Sequence, residues 1–153
     1  MKLTDFGLST NNNFDTMAKY GKKPPLKLHK TPFVLKILGT ADYMAPEILN
    51  TKRVKETDEM VDWWAVGVIA FEFILGGLPF NAKSKEEVFD NIKSHRIKWP
   101  DESILAQINP LLIDLIKQFM NPDPSKRLGV TGAKEVMAHP FFKDIDWTNT
   151  RSM

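Results

Sequence analysis

The sequence has 153 residues, of which 42% are hydrophobic, 26% charged and 10% aromatic. It is long and apolar enough for one globular domain and too short for two ordinary ones. The absence of cysteine excludes disulfides, thiolate metal sites and a cysteine nucleophile. A net charge of +2 is too small to indicate nucleic acid or an acidic membrane surface as a partner.

The N-terminal part combines a short extended piece, residues 2–8, with a long basic segment. Between Ser9 and Leu38 no hydrophobic period is sustained, and six lysines and no acidic residue lie between Thr16 and Ala41. Loops longer than about 15 residues within compact domains are usually functional or disordered. We therefore predict a flexible basic loop here, with a specific anion site as the alternative.

The most apolar stretch of the chain predicts the first helix. It runs from Met60 to Leu75, with Thr57 or Asp58 as its cap and Gly76 directly after its end. A helix that is apolar on nearly every face belongs in a protein core. We therefore predict that this helix is buried.

Three further helices are predicted from their capping residues. Ser84 and Glu87 have the spacing of a capping box and precede an apolar stripe, which indicates an amphipathic surface helix. Asn109-Pro110 begins a third helix, which stops at Asn121-Pro122, and a short fourth helix follows Thr131. The chain is therefore predicted to be mainly α.

Several short motifs stand in the order in which protein kinases carry them. Each is weak alone, because a tripeptide recurs by chance, but together they resemble the second half of a eukaryotic protein kinase. Within the kinases they are similar to the AGC group of serine/threonine kinases, and there to the Greatwall and microtubule-associated serine/threonine kinase branch. The motifs are Asp5-Phe6-Gly7, Gly39 to Glu47 (GTADYMAPE), Asp62-Trp63-Trp64, Pro79-Phe80, Arg127 and His139-Pro140-Phe141-Phe142.

The resemblance implies a protein-kinase-like fold of which this chain holds the C-lobe. Residues 1–8 would be the strand of the Asp-Phe-Gly motif, 9–38 a basic activation-loop insert, 39–142 the helical core, and 143–153 the start of an AGC-type tail. No glycine-rich loop, phosphate-holding lysine or catalytic loop precedes Asp5, since only four residues do. The N-lobe and the catalytic base are therefore expected to be absent.

The resemblance assigns the nucleotide chemistry to Asp5. Phosphoryl transfer from ATP needs a divalent metal on the β- and γ-phosphates, and Asp5 would be a carboxylate ligand of Mg²⁺. The alternative is a turn residue before Gly7. Phe6 would pack between the lobes as a switch, and Gly7 would permit a backbone flip. Thr40 matches the threonine that contacts the catalytic aspartate and lysine, which favours serine/threonine specificity.

Three charged residues are implied to be structural. Glu47 matches a glutamate that forms a buried ion pair with a distant arginine, and Arg127 is the matching partner. Asp62 would hold the backbone of the catalytic loop, and we expect its carboxylate to be buried and partnered. Without the catalytic loop and its preceding helix, the first helix is expected to expose an apolar patch.

Other residues are implied to bind the substrate. Glu72 matches a position that binds an arginine two residues before the phosphoacceptor, which predicts a basic protein substrate; the alternative is a carboxylate paired within the helix surface. The pocket for the residue after the phosphoacceptor would be lined by Ile37, Ala41 and Met44, although the family usually has proline at position 41. The histidines His29, His95 and His139 have no metal or triad spacing and are not catalytic candidates.

We therefore expect this chain to be a fragment of a serine/threonine kinase, an enzyme that transfers the γ-phosphate of ATP to protein. The fragment alone is expected to be inactive. The alternative is a noncatalytic kinase-like binding module. An upstream regulatory kinase is a possible partner, and neither nucleic acid nor membrane is expected. The first residues lack the apolar core of a signal peptide, which predicts an intracellular protein, cytoplasmic or nuclear.

One prediction concerns activation. Many AGC kinases carry a phosphorylated threonine three residues before the glycine of the Gly-Thr motif, where this chain has Lys36. A lysine accepts no phosphate and would repel the catalytic-loop arginine, so that route is closed. Thr31 instead precedes Pro32, which favours an extended, accessible backbone, and we predict Thr31 as the activating phosphosite. Mass spectrometry and kinetics of Thr31→Ala in the full-length protein test this; wild-type activity in the variant would contradict it.

Overall fold

The computed structural model describes residues 41–50 and 59–148. These two ranges contain helices and turns and no strand, as expected for a mainly α chain. The predicted extended piece at residues 2–8 and the basic segment 9–38 lie outside the described residues. The helices are α1 (Met60–Leu75), α2 (Lys85–Lys93), α3 (Glu102–Leu105), α4 (Pro110–Phe119) and α5 (Ala133–Met137), and 3₁₀ turns occupy Ala41–Tyr43, Pro124–Lys126 and Pro140–Phe142.

Helix α1 begins and ends where its apolar run begins and ends. Its C-terminal residue is followed by Gly76 in the left-handed conformation, with φ of 73°, and the Gly76 N–H donates to the Glu72 carbonyl at 2.8 Å. The N-cap residue is Glu59, which makes no side-chain capping bond. The predicted caps, Thr57 and Asp58, lie outside the described residues.

Side-chain caps start two of the other helices as the sequence predicts. At α2 the Ser84 hydroxyl accepts from the Glu87 N–H at 3.2 Å, and Glu87 accepts from the Lys83 N–H at 3.3 Å. At α4 the Asn109 side chain accepts from the Leu111 N–H at 2.9 Å, with proline at the first helical position.

The structure gives the bounds of α3, α4 and α5 more closely than the sequence does. Helix α5 follows Thr131, as predicted, with Gly132 as its N-cap residue, and the Thr131 N–H and hydroxyl both donate to Glu135 Oε2 at 2.8 Å. Helix α4 ends at Phe119, two residues before the predicted stop. Helix α3 has four residues, too few for a hydrophobic period to reveal it.

The core forms where α1 crosses α4. Trp64, Val68 and Phe71 of α1 are buried. Gly67 faces α4 so closely that an added Cβ would lie 2.7 Å from the Phe119 Cβ and 2.8 Å from the Met120 Cγ. The absence of a side chain at this position is therefore what allows the two backbones to approach.

One face of α1 is exposed, so the prediction of a helix buried on all sides is wrong for the described residues. Val66, Ile69 and Phe73 are 41%, 38% and 83% exposed, and Asp62 lies on the same stripe of the helix. Composition alone could not separate this apolar face from the packed one, because both carry the same residue types. The exposed apolar patch itself agrees with the sequence-based expectation.

We predict that Gly67→Val destabilises the protein by about 2 kcal/mol or more, because overpacking a closely packed core typically costs about 1–3 kcal/mol. Denaturant unfolding followed by circular dichroism measures the effect. The matched control is Gly77→Val, since a Cβ at Gly77 meets nothing within 4 Å. Equal stability of the two variants would contradict this packing.

Candidate functional site

A bidentate ion pair joins the segment 41–50 to the C-terminal half of the chain. Arg127 Nη1 donates to Glu47 Oε1 at 2.6 Å, and Nη2 donates to Glu47 Oε2 at 3.0 Å. The two residues are 80 positions apart, and they form the pair that the sequence predicts. Arginine suits this role because its planar guanidinium matches both oxygens of a carboxylate.

The guanidinium of Arg127 also bonds to two other parts of the fold. Nε donates to the Asn121 carbonyl at 3.0 Å, and Nη1 donates to the Met60 carbonyl at 2.5 Å, at the start of α1. The guanidinium carbon lies 5.2 Å from the centre of the Trp64 ring. Arg127 is fully buried, and each of its three side-chain nitrogens donates at least one of these hydrogen bonds.

A second polar contact joins segment 41–50 to the last turn of α1. The Tyr43 hydroxyl donates to Glu72 Oε2 at 2.7 Å, across 29 positions of sequence. The pKa of Tyr43 is raised, first by this hydrogen bond, then by burial and by the negative charges of Glu72 and Asp42. Tyr43 therefore stays a neutral donor throughout the physiological pH range.

The other residues for which the sequence predicts a role are either placed elsewhere than expected or not described by the structure. Asp62 is exposed rather than buried, because it lies on the open face of α1, so the expectation of a buried carboxylate is wrong for the described residues. Ala41 is buried in the core beside Trp64, and Met44 is half-buried. The residues Asp5, Phe6, Gly7, Thr31, Ile37 and Thr40 lie outside the described residues, and their roles stay predictions.

Sequence reasoning missed the role of Tyr43. The residue was visible within the Gly39–Glu47 motif, but no pattern connects it to Glu72. The predicted alternative for Glu72, a carboxylate paired within the protein, is what the structure shows, although the partner is a neutral hydroxyl. A neutral hydroxyl adds no positive charge beside Glu72.

His139 has a structural position, as its place in the His-Pro pair suggests. Its side chain is buried, and Nδ1 accepts from the Phe141 N–H at 3.2 Å, so the ring proton lies on Nε2, which is 3.2 Å from Asp114 Oδ2. Over residues 41–50 and 59–148, no cluster of three acidic or histidine side chains could hold a metal ion. None of the helices described is long and apolar enough to cross a membrane.

The helices and the Glu47–Arg127 pair together are consistent with a kinase C-lobe. The protein kinase domain model matches residues 1–142. The chain therefore belongs to the protein kinase family.

Curated relatives share this similarity and are named as serine/threonine kinases. The kinase ppk18 of Schizosaccharomyces pombe is 37% identical over 161 residues, covering 95% of this chain and 12% of ppk18. The kinase cek1 of the same yeast is 42% identical over 113 residues, covering 73% of this chain and 8% of cek1. The probable kinase IRE4 of Arabidopsis thaliana is 38% identical over 161 residues, covering 97% of this chain and 15% of IRE4. The chain thus spans a small part of each relative.

We predict that Glu47→Ala destabilises the protein by about 3–5 kcal/mol, because it leaves the buried charge of Arg127 without its partner. Replacing both residues, in Glu47→Ala/Arg127→Met, should cost less than the sum of the single changes. Denaturant unfolding of the four proteins measures the coupling.

The control is the exposed ion pair of Lys126 and Asp123, in which Lys126 Nζ lies 3.7 Å from Asp123 Oδ2. Because solvent screens this pair, Lys126→Met should leave the unfolding midpoint unchanged. Additive effects of Glu47→Ala and Arg127→Met would show that the buried pair is not coupled.

Proposed function

We propose that this chain forms the C-lobe of an AGC-group serine/threonine kinase, of the Greatwall and microtubule-associated kinase branch. The protein containing it would transfer the γ-phosphate of ATP to serine or threonine of protein substrates. The observation that carries the proposal is the set of hydrogen bonds from Arg127 to Glu47 and to the Met60 carbonyl. These bonds anchor Glu47 to α1 and so hold the segment 41–50 in place. The names of the relatives support the reaction class.

The catalytic chemistry is proposed for residues before the described part of the chain. Asp5 would be a carboxylate ligand of Mg²⁺, which supplies charge neutralisation to the phosphates of ATP. Thr40, directly before the 3₁₀ turn Ala41–Tyr43, would contact the catalytic base. The 153 residues contain no His-Arg-Asp motif, so that base has to come from elsewhere.

The exposed face of α1 supports the proposal that the catalytic base is supplied by another part of the kinase. Val66, Ile69 and Phe73 form an apolar stripe in line with Asp62. Burial of such a stripe is favourable by about 25 cal/mol for each Å² removed from water. We propose that the catalytic-loop region of the kinase covers it and that Asp62 then binds backbone N–H groups of that region.

The acidic position of Glu72 supports a preference for basic substrates. Glu72 is partly buried in the last turn of α1, and its partner Tyr43 is a neutral hydroxyl that adds no positive charge beside it. An arginine of the substrate would bind there through charge-assisted hydrogen bonds. Regulation by an upstream kinase at Thr31 remains part of this proposal.

We predict that the purified chain of 153 residues has no measurable kinase activity with ATP, Mg²⁺ and a basic peptide. One carboxylate, at Asp5, cannot replace the lysine, the asparagine ligand and the catalytic base of a complete kinase. The genomic DNA upstream of Met1 should encode a glycine-rich loop and a His-Arg-Asp motif in frame. The extended protein should then be active, and Asp5→Ala should abolish its activity.

Two results would contradict the proposal in different ways. Phosphorylation by the 153-residue chain alone, blocked by Asp5→Ala, would show that the catalytic machinery is complete without the upstream residues. An extended protein that folds but transfers no phosphate would favour a noncatalytic kinase-like binding module.

A further inference from the structure

We propose that a groove beside α2 is a docking site for a protein segment in which acidic and basic residues alternate. The groove is lined by the residues 81–83 that precede α2, by one face of α2, and by the residues 96–98 that follow it. None of these residues belongs to the proposed catalytic or basic-substrate sites. The inference therefore goes beyond the proposed function and does not depend on it.

The groove is large and polar. Its volume is about 830 Å³, and five of its nine lining residues are charged. Sites for small organic molecules have volumes of about 300–1,000 Å³ but are lined mainly by apolar and aromatic side chains. A groove of this size with charges of both signs therefore suits a segment of another protein better than a small molecule. The charged lining residues are Lys83, Glu87, Asp90, Arg96 and Lys98.

Hydrogen bonds hold the three stretches that line the groove together. The Lys98 N–H donates to the Pro79 carbonyl at 2.8 Å, and the Arg96 N–H donates to the Asn91 carbonyl at 2.8 Å. The side chain of Asn91 donates from Nδ2 to the Phe80 carbonyl at 3.3 Å. The groove is therefore formed before a ligand binds, which reduces the entropy that is lost on binding.

Negative and positive charges of the groove come from different stretches of the chain. Glu87 and Asp90 are three positions apart, so they lie on one face of α2. Arg96 and Lys98 are both exposed on the segment after α2, whereas Ile97 between them is half-buried against the core. The helix therefore supplies a negative side of the groove, and the segment 96–98 supplies a positive side.

These charges do not neutralise one another. Within residues 41–50 and 59–148, no ion pair joins a positive to a negative side chain of the groove. Glu87 accepts a hydrogen bond at 3.3 Å from the backbone N–H of Lys83, which is a neutral donor and brings no positive charge. The groove therefore presents charges of both signs to a ligand.

An extended protein segment with alternating charges complements this arrangement. Side chains of an extended segment point alternately to opposite sides, so residues i and i+2 share one side. Acidic residues at i and i+2 would face Arg96 and Lys98, and the basic residues between them would face Glu87 and Asp90. A uniformly acidic segment would be repelled by the two carboxylates, and a uniformly basic segment by the cations. Charge complementarity on both sides therefore favours the alternating segment.

The first experiment compares two fluorescent peptides of equal length, each half glutamate and half lysine. In one peptide the two residues alternate, and in the other all the glutamates precede all the lysines. Fluorescence anisotropy with the full chain should show about tenfold tighter binding of the alternating peptide at low salt, and a smaller difference at high salt, because salt screens exposed charges. Equal affinities would overturn the inference. Tighter binding of an all-glutamate peptide would also overturn it, because the groove would then recognise negative charge alone.

The second experiment locates the bound peptide with matched variants. Lys98→Gln should weaken binding of the alternating peptide about two- to fivefold, because it removes one exposed charge pair. Lys93→Gln is the control, since Lys93 is an exposed residue of α2 that does not line the groove. Equal weakening by the two variants would place the peptide elsewhere on the chain and overturn the inference.

A charge reversal gives a result that loss of structure cannot produce. After Arg96→Glu/Lys98→Glu, four of the five charged lining residues are negative. This variant should bind the alternating peptide about tenfold more weakly than the wild-type chain does, and it should bind an all-lysine peptide more tightly. Weaker binding of the alternating peptide without any gain for the all-lysine peptide would overturn the inference.

Discussion

A fully buried guanidinium is the constraint around which the described part of this protein is organised. Arg127 carries a charge that would be very costly to bury alone, so it needs acceptors and an opposite charge around it. The acceptors come from Glu47, Met60 and Asn121, which lie in three separate stretches of sequence. The hydrogen bonds of this one side chain therefore join the segment 41–50, the start of α1 and the loop after α4.

Helix α1 has two sides with different functions. One side packs closely on α4, where Gly67 lets the backbones approach and Trp63 stacks on Phe119 with ring centres 5.6 Å apart. The other side presents an apolar stripe that ends in Phe73, which is 83% exposed. The packed side supports the fold, and the open side is the one that we propose is covered by the catalytic-loop region.

The hydrogen bond between Tyr43 and Glu72 joins the segment held by Arg127 to the last turn of α1. The ion pair of Arg127 with Glu47 holds the segment that carries Tyr43, and the Tyr43 hydroxyl in turn donates to Glu72. A structural ion pair and a proposed substrate site are therefore connected through one short segment of chain.

The sequence by itself determined the kinase family, the mainly helical class and the bounds of α1, because motifs, caps and apolar runs are local features. It also predicted the pairing of Glu47 with Arg127 through the resemblance. Only the tertiary structure decided which face of α1 is open, that Asp62 is exposed, and that Tyr43 meets Glu72. These features depend on contacts between distant residues, and a pattern of residue types along the chain does not specify which distant side chains meet.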